Sequence, residues 1–115
     1  MAFESAPELH VADLDITEPV PEGTVVVDVR EQDEWDAGHV PDAVHIPMSE
    51  LAQRVRELPE APLLVICRSG GRSARAVSWL RQFGYDATNL GGGTLAWAER
   101  RLPVVRDDGA AGTVV

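Results

Sequence analysis

Apolar residues fall in short runs along the chain, separated by polar, Gly-rich or Pro-rich breaks, and the runs switch between two periods. Residues 24–29, TVVVDV, are apolar on both faces apart from Asp28, the pattern of a strand covered on both sides of a sheet. Residues 63–67, LLVIC, predict a second buried strand of this kind, and 9–14 (LHVADL), 43–46 (AVHI) and 86–90 (DATNL) predict three shorter ones. Between them the period changes to that of a helix. Residues 31–39, EQDEWDAGH, predict a short helix ended by Gly38, where a C-terminal glycine cap belongs. Ser49 is placed to N-cap a helix whose Leu51, Val55 and Leu58 share one face and which Pro59 stops. Ala76, Leu80 and Phe83 mark the apolar face of a longer helix closed by Gly84, and 94–100 (TLAWAER) predict a last one. Alternating strands and helices predict an α/β domain with a mainly parallel sheet and helices on both faces. Ligands bind such sheets beyond the carboxyl ends of the strands, and Cys67 falls at one.

Length and composition narrow the class. With 115 residues, 44% of them hydrophobic, the chain suits one domain of ~100–200 residues, here 9–104. The small, polar or Gly-rich ends, 1–8 and 106–115, are expected to fray. No apolar run approaches the roughly 20 residues that span a bilayer, and the first residues lack the basic and apolar stretches of a secretion signal, so a cytoplasmic location is expected. One cysteine cannot form a disulfide framework, and no Cys/His spacing suits zinc. A net charge of −9 argues against nucleic acid and against an anionic membrane surface as partners. All ten basic residues are arginine, which reads as coding bias of a GC-rich genome. Their placement says more: residues 67–81 hold Arg68, Arg72, Arg75 and Arg81 and no acid, so this one loop can attract a small anion in an otherwise acidic chain.

The segment CRSGGRS, 67–73, joins a strand to a helix and must curl around the cysteine side chain. Gly70 and Gly71 allow the dihedrals and the close backbone approach of such a curl. Its N–H groups then point inward as an anion-binding nest at a helix N-terminus, which with Arg72 nearby favours thiolate over thiol. A cradled thiolate suits covalent catalysis on or through an anion. Phosphate-handling cysteine enzymes of the tyrosine-phosphatase type separate Cys and Arg by one residue more than Cys67 and Arg72 are separated here; the tighter ring suits a smaller occupant.

Three blocks, DVREQDEWDAGHVPDAVHIP (28–47), CRSGGRSARAVSWLRQFGY (67–85) and LGGGTLAW (90–97), resemble the rhodanese-like sulfurtransferase domain in its single-domain form. The resemblance implies the rhodanese-like fold, a five-stranded, mainly parallel sheet with helices on both faces. It implies that Cys67 attacks the outer sulfur of thiosulfate or of another sulfane-sulfur donor, holds it as a persulfide and passes it to a thiol or cyanide acceptor. Arg68, Ser69, Gly70, Gly71, Arg72 and Ser73 would form the substrate-binding loop, with Arg72 attracting the anionic donor. Four further positions are expected to support it: Asp28, pairing with a loop arginine, Arg30 beside it, His45 near the active end, and Trp97 walling the pocket. His39 reads as a structural histidine, and Glu31, Asp33, Glu34 and Asp36 read as a solvated helix face. The sequence departs from the family pattern at Asp42, where glycine is usual, at His45, where asparagine is common, in a shortened segment between the first two strands, and in the extra glycine of LGGGTLAW. Two other functions share the architecture: a sulfur carrier or sensor docking on a partner or sulfur-relay protein with little free turnover, and an arsenate reductase or phosphatase, which the short loop disfavours.

Overall fold

The computed structural model describes residues 6–115. Five strands, β1 (Glu8–His10), β2 (Val25–Asp28), β3 (Val44–His45), β4 (Leu63–Ile66) and β5 (Ala87–Gly91), form one sheet in the order β1-β5-β4-β2-β3 with every pairing parallel. The helices are α1 (Gln32–Ala37), α2 (Leu51–Arg54), α3 (Gly71–Gln82) and α4 (Gly93–Glu99). Successive side chains of a strand point to opposite faces, and both faces are apolar. Val27, Val29, Leu63, Val65 and Cys67 enter a core with Leu51, Ala76, Val77 and Leu80 of α2 and α3. Val26, Leu64, Ile66 and Leu90 enter a second core with Val11, Trp97 and Leu102. The parallel sheet covered on both sides is the predicted architecture, and it puts the ends of β2 and β4 side by side. Among the described residues, no helix is long and apolar enough to cross a membrane.

The elements depart from expectation where a side chain or a tertiary contact overrides local pattern. The first strand stops at His10, because its ring nitrogen accepts the Ala12 N–H at 3.0 Å and the chain turns into a 3₁₀ turn at Val11–Asp13. Ser49 caps no helix: it lies inside the 3₁₀ turn Met48–Glu50 and donates its hydroxyl to Glu31 at 3.1 Å. Phe83 is 63% exposed rather than core. Gly84, at φ 87°, does close α3 as predicted: its own N–H and that of Tyr85 bond back to Arg81 and Leu80, the paired bonds of a Schellman motif. Asp42 takes φ 64°, the left-handed conformation that explains a family preference for glycine there and that aspartate tolerates better than most residues. Gly38 sits at an extended φ of 161°. A Cβ there would come within 2.6 Å of the Thr113 backbone, so the absent side chain makes room for the C-terminal segment. Backbone bonds join this part of the chain to the domain: His39 and Val105 exchange N–H···O bonds of 2.8 and 2.9 Å, and within the expected C-terminal tail the Thr113 N–H reaches Ala37 O at 2.9 Å. At the other end, Glu8 already lies in β1 and Pro7 O accepts from Asn89 N at 2.7 Å; the rest of the expected N-terminal tail, 1–5, lies outside the described residues.

Candidate active site

Cys67 follows β4 directly and is 1% exposed. Its loop is tied to α4, whose Thr94 and Leu95 N–H groups donate to Cys67 O and Arg68 O at 2.8 and 3.0 Å. Gly70, at φ 111°, turns the backbone back over the sulfur in a conformation open to glycine at little cost; Gly71 has an ordinary φ and no such need. The curl aims donors at Sγ: Gly70 N–H at 3.1 Å and Ser73 Oγ at 3.2 Å. Burial pushes the thiol up, but the Ser73 hydroxyl and the N–H groups of Ser73, Gly70 and Ser69 outweigh it and hold Cys67 below the usual thiol range. The first turn of the 12-residue α3 begins at this loop, so its positive end also favours an anion there. Arg68 and Ser69 are exposed on the rim, with Arg68 Nε donating to Val115 O at 2.9 Å.

The arginines are partnered differently from expectation. Asp28 does not meet a loop arginine. Its carboxylate takes Arg30 Nε at 3.0 Å and Nη2 at 2.8 Å, with both side chains fully buried. Arg30 also donates to Gly38 O at 2.8 Å and Glu34 O at 3.3 Å, so it clamps α1 onto the end of β2. Arg72 in turn donates to both carboxylate oxygens of Glu34, at 2.7 and 2.9 Å. Glu34 is therefore no solvated side chain: the Arg72 guanidinium pulls its carboxyl down to about 2 against partial burial. Glu31, which caps α1, and the three acids within it carry no mark of which one faces the loop; the neighbouring Trp35, buried in the structure, was the one signal that this side of α1 turns inward.

Two expected supporting residues lie elsewhere. His45 is on β3, separated from β4 by β2, a lateral distance of about 10 Å at the usual strand spacing. Its Nε2–H donates to Arg30 O at 2.8 Å, and its ring stacks on Trp35, which stacks on its other face with His39 at 3.5 Å. His39, bonded to Asp107 at 2.9 Å and Val40 O at 3.1 Å, is held in the manner of a structural histidine. Trp97 is a core residue whose Nε1–H donates to Pro103 O at 2.8 Å. The cavity it lines, of about 560 Å³, includes Thr24, Val25 and Pro41 and opens at the amino end of β2, away from Cys67.

The chain matches the Rhodanese-like domain over residues 13–100 and belongs to that family of sulfurtransferases. A sulfurtransferase of Allochromatium vinosum is 40% identical over 90 residues, covering 76% of this chain and 84% of that protein. A thiosulfate sulfurtransferase, GlpE, of Pseudomonas syringae is 35% identical over 78 residues, 66% of this chain and 74% of its own. The crystal structure of a rhodanese-related protein from Thermoplasma volcanium superposes with a TM-score of 0.78 at 35% identity, over 86% of this chain and 97% of that one.

Proposed function

We propose that the protein transfers sulfane sulfur through a persulfide on Cys67. The observation that carries this reading is the convergence of the Gly70 N–H and the Ser73 hydroxyl on Cys67 Sγ. The Cys67 thiolate attacks the outer sulfur of thiosulfate, or of a persulfide donor. The donor S–S bond breaks, and sulfite, or the donor thiolate, leaves with the electron pair. A thiol or cyanide then attacks the terminal sulfur and the Cys67 thiolate is regenerated, so electrons balance with no cofactor. Arg68, Ser69, Gly70, Gly71, Arg72 and Ser73 form the binding loop, Asp28 and Arg30 brace it through α1, and the site suits a cytoplasmic sulfur pathway. Incubation with thiosulfate should add one sulfur atom to the intact mass of the wild type and none to Cys67→Ser; no gain in the wild type, or the same gain in both proteins, would sink the reading.

One observation favours a second reading, a carrier or sensor that docks on a sulfur-relay partner. Both terminal nitrogens of Arg72 are engaged by Glu34, which leaves less free positive charge for a small anionic donor. Full persulfide loading together with negligible thiosulfate:cyanide turnover selects the carrier.

A further inference from the structure

Behind Cys67 and Ser73 the polar contacts continue to Asn89 and Glu8, two residues that sulfur transfer as written does not use. Ser73 Oγ is 3.2 Å from Cys67 Sγ and 2.6 Å from Asn89 Oδ1, and Ser73 and Asn89 are 0% and 1% exposed. A hydroxyl has one proton to donate, so Ser73 serves the sulfur or the amide oxygen, never both. The far end of the asparagine settles its orientation. Nδ2 is 2.9 Å from Glu8 Oε1 and 3.2 Å from Gly70 O, both acceptors, so the amide oxygen must face Ser73. The arrangement crosses three elements, α3, β5 and β1, and Gly91 makes space for it. A Cβ at Gly91 would stand 2.7 Å from the Glu8 carboxyl carbon.

We propose that Asn89, held by Glu8, is a positioning residue that sets the direction of the Ser73 hydroxyl proton and so governs how readily Cys67 releases its own. With Cys67 as thiol, S–H donates to Ser73 Oγ and Ser73 donates to Asn89 Oδ1, and every group is satisfied. When the thiol proton leaves for solvent, the Ser73 hydroxyl rotates to donate to the sulfur anion, and Asn89 Oδ1 loses its donor. An unpaired buried carbonyl opposes the change, so Asn89 restrains the empty thiolate. On the persulfide reading above, the negative charge moves to the terminal sulfur after loading and the Ser73 proton returns to Asn89. The charged groups around this chain are Arg68 and Arg72 in the loop, Arg75 on α3, Asp28 and Arg30 at the end of β2, Glu34 on α1 and Glu8 on β1; neither Ser73 nor Asn89 titrates.

The test is the pH profile of Cys67 alkylation by iodoacetamide in the full chain. Asn89→Leu keeps the shape and removes the acceptor, so the thiol pKa should fall by about one unit, roughly tenfold more thiolate at a pH below it. Glu8→Ala, at an exposed side chain, frees the amide to turn and should lower the pKa by a smaller step, about threefold in alkylation rate. Both effects should vanish in a Ser73→Ala background. An unchanged or raised pKa in Asn89→Leu, or shifts of equal size with and without the Ser73 hydroxyl, would overturn the proposal. Should Asn89→Leu not fold, the Glu8 and Ser73 pair of variants decides it alone. Alkylation does not depend on persulfide formation, so failure of sulfur loading and failure of this relay are separate results.

Discussion

Two arginine–carboxylate pairs hold this site, and they differ in depth and in reach. Asp28 and Arg30 are two residues apart, at the end of one strand, with both side chains at 0% exposure. Glu34 and Arg72 are 38 residues apart, join α1 to the cysteine loop, and remain 15% and 32% exposed. A buried charge must keep its partner, because a lone ion in the interior costs far more than the pair gains. A pair near solvent gains little net energy but can be adjusted. The deep pair therefore fixes where α1 sits, and the shallow pair uses that placement to hold the loop arginine at the rim. The structural role and the role at the site are divided between two similar contacts.

The largest expected effect breaks the deep pair. Arg30→Met leaves Asp28 uncompensated and frees the carbonyls of Glu34 and Gly38, and should cost about 3–5 kcal/mol in urea unfolding; a loss under about 1 kcal/mol would show that the pair does not carry α1. Next is the shallow pair. A double-mutant cycle of Glu34→Ala and Arg72→Ala should give a coupling near 1 kcal/mol. That coupling should shrink as salt shortens the screening length from about 30 Å to about 3 Å, whereas the Arg30→Met loss should not. Slower persulfide loading in Glu34→Ala, with Cys67 intact, would place the shallow pair in the site rather than in the scaffold.

A further effect concerns pH. The Glu34 carboxyl is pulled from its ordinary 4.5 to about 2 by Arg72. A carboxyl with a depressed folded-state pKa adds stability that is present above the unfolded value and lost as pH falls through the folded one. Glu34→Gln should therefore flatten the fall in unfolding free energy between about pH 4.5 and about pH 2. A curve parallel to the wild type would mean that the pair contributes no net linkage.

Much of this was legible along the chain. The apolar runs and their breaks placed all five strands, and Cys67, Gly70 and Ser73 in one loop marked a sulfur and two of the groups that the structure aims at it. The Asp28–Arg30 pair could have been read as well, since residues two apart on an extended segment share a face. Glu34 was harder, because Asp33, Glu34 and Asp36 lie close together on α1 and only the neighbouring Trp35 marks the side that turns inward. His45 and Trp97 were misplaced for a related reason: position near the end of an element says nothing about lateral distance across a sheet or about which side of a helix is covered.

By itself the sequence determined the class of fold, the cysteine at the end of a central strand and the loop that curls around it, because these rest on local periodicity, turn chemistry and residues adjacent in the chain. The tertiary structure alone decided which residues far apart in the chain become partners. The strand order β1-β5-β4-β2-β3 brings Glu8 beside Asn89, 81 residues away, and packing turns Glu34 toward Arg72. Hydrogen bonds and ion pairs act over about 3 Å, and contacts that short between distant positions exist only once the sheet has set its neighbours.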